Sequence, residues 1–510
     1  MRFAPLVRDR PCSNLAILLY RRRMAEDTNE GMLWGPAALQ ARRETIRALQ
    51  ARLAPNRKAW VEKNRYYYES ISRLFRFLIE PGKRVLSIRS DLGQFLTAVN
   101  PQRGVGVELT PELAAEAAKL NPQWDYRVAD PEQFVADEKF DYIVVANIGD
   151  TVDVQRALQN LQAGCERGTR VLIYTYNHLW EPIVGLAAWL GFKPVQEEQS
   201  WLSEGDLKGL LNLAGFEWLK TYRVATFPKN IPVVSFLLNR VIGALPLFNR
   251  LSFISVLVAR PRGFARAPAE LSVSVVIPCK NERGNIQPAV ERIPELGCHT
   301  EIIFCDDKST DGTAEEIERM RALYPQRDIK LVAGPGICKA RNVYTGFDAA
   351  TCDVLMILDA DLAVMPEELP YFLEVLATNR AEFVNGSRMV YPVPREAMKL
   401  ANMIGNQFFS WAFTFLLGER VKDTLCGTKV IWRNDWQRIR PLIDTWGKED
   451  RWGDYELLFG ASKLNLRISD LPVHYQERVY GTTKMNKRFK NGLIMLAFCW
   501  AGFKKLKMRL

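Results

Sequence analysis

Three polar groups in the second half of the chain each follow an apolar run that reads as a buried strand. The first is Val275-Val276-Ile277-Pro278-Cys279-Lys280-Asn281-Glu282. The second, Ile302 to Thr313, carries Asp306-Asp307 and then Ser309-Thr310-Asp311-Gly312. The third is Leu355-Met356-Ile357-Leu358-Asp359-Ala360-Asp361. Ligands of open α/β sheets bind outside the carboxyl ends of the strands. Carboxylates gathered there repel one another unless a cation sits between them. An Asp-x-Asp alone is a common chance pattern. Its place after an apolar strand, with two further polar strand ends upstream, separates Asp359 and Asp361 from two solvated turn residues. Asp311 or Thr313 suits a helix N-cap, and the paired Asp306-Asp307 exceeds what a cap needs.

The elements that must position these groups follow from periodicity. In the second half, strands are expected at Val273–Pro278, Glu301–Asp306, Lys330–Ala333 and Val354–Asp359, with helices near Asn285–Ile293, Thr313–Leu323 and Lys339–Ala350. In the first half, Val85–Ile88, Gly104–Val107, Asp141–Val145 and Val171–Tyr174 read as buried strands, with a helix at Pro111–Leu120. Strand–helix alternation in both halves predicts two α/β domains, as 510 residues also require. Residues 261–270 hold two prolines and a glycine without a period and read as the linker. Residues 1–60 are expected to form a helical leader, with Pro36 opening a surface helix to Leu53. The expected domains are then 61–260 and 271–485, followed by a tail, 486–510.

The second half resembles the family 2 inverting nucleotide-sugar glycosyltransferases that include dolichyl-phosphate mannose synthase. Beyond the three strand ends, the resemblance rests on Lys339, Arg341 and Gly346 before the Asp-x-Asp strand. It continues through Phe383 to Arg388, Asp423 to Lys429, Trp452 to Leu458 and Glu477 to Lys484. It implies a GT-A fold and a nucleotide-sugar donor. Pro278, Asn281, Glu282, Lys339 and Arg341 would bind that donor, and Asp306 or Asp307 would contact its base or ribose. Asp359 and Asp361 would hold Mg²⁺ or Mn²⁺ on its diphosphate. A divalent cation with Arg and Lys donors suits the negative charge that grows on the leaving nucleoside diphosphate.

The acceptor separates two chemistries. A hydroxyl needs a general base, for which Asp454 is the first candidate and Glu456 the second. A lipid phosphate is already ionised and needs cations to position it; Arg388, Arg478 and Lys484 are available, with Arg388 also a catalytic candidate. The match around Glu477–Lys484 favours a polyprenyl phosphate or related glycolipid or glycan acceptor.

The first half resembles class I S-adenosylmethionine-dependent methyltransferases through Pro81 to Leu86, Gly104 to Pro111, Ala129-Asp130, Phe140 to Val145 and Gly168 to Ile173. The resemblance implies a Rossmann-like sheet, with Glu108 toward ribose hydroxyls and Asp130 near adenine. The first motif departs from the pattern. Ser87 replaces the acid, and Arg89 and Asp91 stand where glycines are expected, leaving only Gly93. Side chains there should block close approach to the cofactor and exclude the needed backbone angle.

The net charge is +11, which suggests an anionic partner. Gly481 to Leu510 contains no acid and eight bases around the apolar run Gly492–Phe503. Twelve largely apolar residues are too few to span a bilayer and suit an interfacial helix. A membrane surface on the cytoplasmic side is therefore expected, and a nucleic acid is not, since no aromatic-studded basic groove is evident. Nine scattered cysteines without a Cys-x-x-Cys pair argue against structural zinc or a disulfide framework. Two other readings remain at this stage. One is a bifunctional methyltransferase and glycosyltransferase modifying a surface glycan; the other is a non-catalytic nucleotide-sugar-binding scaffold.

Overall fold

The structure, a computed structural model, describes residues 35–189, 200–224, 227, 230–392, 400–447, 450–476 and 488–509. The chain divides into two compact units, Met1–Pro261 and Arg262–Leu510, so the boundary falls at the start of the expected linker.

In the first unit, apolar β-branched runs form β1 (Arg84–Ile88), β2 (Arg103–Glu108), β3 (Asp125–Val128), β4 (Tyr142–Ala146) and β5 (Arg170–Tyr176), with β6 (Phe216–Val224) and β7 (Ile254–Pro261) after them. Their order is β3-β2-β1-β4-β5-β7-β6. The first five are parallel, and β7 runs antiparallel between β5 and β6. Both faces of the sheet are covered. Along β4, Tyr142 and Val144 pack with Ile71, Leu74 and Phe75 of the helix Arg65–Leu78. Ile143 and Val145 pack with Leu158, Leu207 and Leu211 on the other side. Burial on both faces is why these strands read as continuous apolar runs. The leader helix Pro36–Leu53 forms as expected and buries none of its residues.

The second unit contains β8 (Ser272–Cys279), β9 (His299–Asp306), β10 (Asp328–Ala333), β11 (Val354–Ile357), β12 (Phe383–Ser387), β13 (Lys429–Trp432) and β14 (Ile468–Pro472). The order is β10-β9-β8-β11-β13-β12-β14. β8 to β11 are mutually parallel, so their carboxyl ends share one edge; β13 is antiparallel to β11 and β12. The helix Lys339–Ala349 rests closely on β8 and β9. A Cβ at Gly346 would lie 2.4 Å from Val276 Cγ1 and 2.6 Å from Cys305 Sγ, so only glycine permits this approach. The helix Arg488–Gly502 is integral to the unit, with Phe498 fully buried beside Tyr455. It is therefore not a separate tail.

Candidate functional site

The loops that leave β8, β9 and β10 are laced together by their own polar residues. Asn281 takes a left-handed φ of 56°. Its N–H donates to Ser309 Oγ at 2.8 Å, and its Oδ1 accepts from Thr310 N–H at 2.8 Å. Glu282 N–H donates to Thr313 Oγ1 at 3.0 Å, and Glu282 Oε2 accepts from Asn285 Nδ2 at 2.8 Å. Asp307 is buried, accepts Gly336 N–H at 2.7 Å and pairs with Lys280 at 3.4 Å. Asp306 differs: one oxygen accepts Ser309 N–H at 3.1 Å, while Oδ1 is buried with no partner in the protein. An unsatisfied buried acceptor is costly unless a ligand supplies the donor.

Asp359 follows β11 after Leu358. Leu358 N–H still bonds to Val276 O at 3.0 Å, extending the parallel pairing to the edge of the site. The chain then turns through Leu362 at φ 52°, a conformation uncommon for leucine. Asp361 Oδ1 accepts Ala363 N–H at 3.2 Å. Lys339 opens the helix behind this turn and places Nζ 2.5 Å from Asp359 Oδ1. Gly427 lies against the other oxygen, where a Cβ would stand 2.2 Å from Asp359 Oδ2.

Two more charges complete this cluster. Lys429 is fully buried, pairs with Asp454 and donates to Cys426 O at 2.6 Å. Burial opposes ionisation of Asp359, but Lys339, then Lys429 and Arg388, hold its carboxyl below the ordinary range. Burial holds Asp454 above its ordinary range, against the pull of Lys429 and Lys339. Burial likewise disfavours the Lys339 ammonium, yet Asp359, Asp454 and Asp361 raise its pKa. Cations and carboxylates thus alternate, and the structure brings Lys339, Asp359 and Asp454 together.

Other expected residues have partners of their own. Arg388 donates to Asp423 through Nε at 2.7 Å and Nη2 at 2.9 Å, and Asp423 is fully buried. Its guanidinium carbon stands 5.2 Å from the Tyr475 ring centre. Glu456 belongs to a separate group: Oε1 accepts Asp444 N–H at 2.8 Å, and Arg341 pairs with Asp444. Burial pushes Glu456 up to about 7. Gln476 N–H donates to Ala363 O at 2.8 Å, so the chain passes beside the Asp359–Asp361 turn just before residues 477–487. Arg478 and Lys484 lie outside the described residues.

Sequence reasoning missed the roles of Lys429, Asp423, Gly427 and Asp450. The last is buried and caps the helix Asp454–Lys463 by accepting N–H groups from Trp452, Gly453, Tyr455 and Glu456. A lysine opening the apolar strand Lys429-Val430-Ile431-Trp432 is the one signal that could have pointed to a buried pair.

The donor set fits a divalent cation in part. Two carboxylates on one turn suit an ion that takes its remaining ligands from substrate phosphates. Among the described residues, no group of three or more His, Cys, Asp or Glu forms a self-sufficient metal site.

The first unit contrasts with this. Arg89 and Asp91 hold φ of 59° and 58° beside Gly93 at 74°. The left-handed backbone expected of glycines therefore persists without them, correcting the expectation that side chains would exclude it. Ion pairs hold the side chains: Arg57 donates to Asp91 at 2.7 and 2.5 Å, and Arg89 pairs with Asp150 at 3.3 Å. Glu108 is buried and accepts the Asp91 N–H. Burial pushes its carboxyl up to about 8. Asp130 takes Glu132 N–H at 3.0 Å and Arg47 of the leader helix at 3.2 Å, while Arg43 binds Glu132. Tyr126 packs where a Cβ on Gly93 or Gly106 would fall. The acids expected to face ribose and adenine are committed within the protein, so these residues do not fit S-adenosylmethionine.

Residues 58–221 match the family model described as methyltransferase domain, and residues 274–434 match glycosyl transferase family 2. The chain joins a methyltransferase-type domain to a family 2 glycosyltransferase domain. The family 2 domain is similar to a dolichol-phosphate mannosyltransferase of Pyrococcus furiosus, 36% identical over 24% of this chain and 34% of the relative. It is also similar to an undecaprenyl-phosphate mannosyltransferase of Micrococcus luteus, 27% identical over 42% of this chain and 88% of that protein. The chain thus spans about a third of the first relative's length. The methyltransferase-type domain aligns with an S-adenosylmethionine-dependent methyltransferase structure from Thermotoga maritima at 17% identity and a TM-score of 0.34, covering 42% of this chain and 99% of that one.

Proposed function

We propose that the family 2 domain transfers a sugar, with inversion, from a nucleotide-sugar donor to a polyprenyl phosphate on the cytoplasmic face of a membrane. The observation that carries this reading is the Asp359–Asp361 turn, set among Lys339, Lys429 and Asp454 at the shared carboxyl edge of β8 to β11. Asp306 accepts from the nucleoside through its unpartnered oxygen. Asp359 and Asp361 hold Mg²⁺ or Mn²⁺, which when bound offsets charge on the departing diphosphate. Lys339 pairs with Asp359 and would supply a further cation to that diphosphate.

The state of Asp454 supports a phosphate acceptor. Its carboxylate is buried on Lys429, a poor position for a base that must take a proton from a hydroxyl. An ionised phosphate attacks without one, so Asp454 serves to fix Lys429 and Lys339. Arg388, oriented by Asp423, and Arg478 and Lys484 steer the acceptor phosphate. Contact with a membrane is supported by the helix Arg488–Gly502, which turns Leu493 and Trp500 outward ahead of Lys504, Lys505 and Lys507. No described helix is long and apolar enough to cross a membrane. The methyltransferase-type domain serves as a scaffold in this reading, because Glu108 and Asp130 are taken up by other groups of the same domain.

The test is incubation of the purified chain with Mg²⁺ or Mn²⁺, a panel of nucleotide sugars and a polyprenyl phosphate, followed by chromatography of the lipid phase. A sugar-phosphate lipid formed from at least one donor is the expected product. Only free sugar, or no turnover with any donor, would overturn the proposal.

A further inference from the structure

The connection between β6 and β7 is built inside out. From Trp218 to Ala269 the sequence has no acidic residue and eight basic ones, of which Arg223, Arg260 and Arg266 pair with Glu204, Glu217 and Glu270. Its described part holds a continuous helical stretch from Pro232 to Ala244 and then the turn Pro246–Asn249. A helix on the surface of a soluble domain is expected to turn polar residues outside. The reverse is seen. Asn239 points inward, donating to Tyr66 Oη at 3.1 Å and Phe227 O at 2.9 Å. Asn249 accepts from Arg223 of β6 at 3.3 Å and donates to Gly243 O at 2.7 Å. Ser235 is buried. Val233 and Leu247 face outward at 71% and 72% exposure, together with Phe236, Phe248 and Leu251. The segment after β5 joins this surface: Trp180 Nε1 donates to Leu251 O at 2.9 Å, and Ile183 beyond it is exposed. Among the described residues, Glu181 follows Trp180, and Glu204 pairs with Arg223.

An apolar patch of this kind marks an interaction surface. We infer that it is a membrane-docking surface belonging to the methyltransferase-type domain itself, seated in the interface of a leaflet rich in anionic lipid. Charge selects this occupant. The exposed Arg250 matches anionic headgroups, while the aliphatic and Phe side chains match the acyl boundary. The patch lies in the first unit and does not depend on the sugar-transfer reading; the helix Arg488–Gly502 of the second unit would add binding of its own, so each variant is read against wild type.

The full-length chain is mixed with phosphatidylcholine vesicles with and without about one-third phosphatidylglycerol and sedimented. Binding is expected only to the anionic vesicles. The exposed double variant Val233→Glu/Leu247→Glu should bind them about tenfold or more weakly, with an unchanged thermal midpoint. In parallel, the indole emission that Leu247→Trp adds to that of wild type, with its 13 tryptophans, should shift to the blue on vesicle binding and be quenched by brominated lipid. Three results would each overturn the inference. One is full binding by the double variant. Another is an unshifted Leu247→Trp spectrum while the protein sediments with lipid. The last is a lipid-free wild-type dimer that becomes monomeric on Val233→Glu/Leu247→Glu, which would make the patch a self-association surface.

Discussion

Gly427→Ala is the sharpest perturbation of the proposed donor site. The added methyl would stand 2.2 Å from Asp359 Oδ2 and 2.7 Å from Oδ1, whereas a carbon and an oxygen in contact sit about 3.3 Å apart. Something must move by about 1 Å. The strand side is held, because Cys426 O accepts Lys429 Nζ at 2.6 Å and Thr428 O accepts Gly386 N–H at 2.9 Å. The Asp359 carboxylate therefore yields, and with it the Lys339 pair. Overpacking of this size costs about 1–3 kcal/mol. A misplacement of about 1 Å at a reacting centre costs about a hundredfold in rate. The assay is kcat/KM for lipid-linked product beside urea unfolding. A loss of about two orders of magnitude with modest destabilisation is expected. Activity within threefold of wild type would refute the argument that Asp359 must stay where Gly427 admits it.

Three further outcomes follow from the same structure. Lys429→Met leaves the buried Asp454 carboxylate without its cation and should destabilise the second unit by about 3–5 kcal/mol. Urea titration checks this, and Lys429→Met/Asp454→Leu should recover most of the loss; no recovery would refute the pairing. Glu108 binds its proton more tightly folded than unfolded, so its contribution is full below about 4.5 and declines as pH rises to about 8. Glu108→Gln should lack that decline between pH 5 and pH 9, and parallel wild-type and variant curves would contradict it. Calorimetry with S-adenosylmethionine should show no binding tighter than millimolar, and a micromolar Kd would reverse the reading of the first unit.

Much of this molecule was legible in its sequence because burial on both faces writes strands as apolar runs. β1, β4, β8, β9 and β11 lie where Val and Ile cluster, and Asp359 lies where the run after Val354 ends. Contacts between distant segments were not legible. Nothing near Gly427 in sequence announces Asp359, and only the antiparallel placement of β13 beside β11 brings them together. Arg388 reads as a free phosphate ligand until the fold supplies Asp423. The same limit applies at Arg89 and Asp91. Residue type argues against left-handed backbone there, at a cost of about 1–3 kcal/mol each, yet Asp150 and Arg57 hold both residues in it. Local propensity cannot include partners that the chain brings from 34 or 61 residues away.

The central claim is that Asp359 and Asp361 hold the donor diphosphate for sugar transfer to a lipid phosphate. Its most direct test measures polyprenyl-linked sugar made from a nucleotide-sugar donor by wild type and by Asp361→Asn, at matched folded concentration with Mg²⁺ or Mn²⁺ supplied. Product from the wild type that depends on the dication, and a loss of at least a hundredfold in the variant, is the predicted result. Equal product from both proteins, or wild-type product unchanged by chelation, would contradict it.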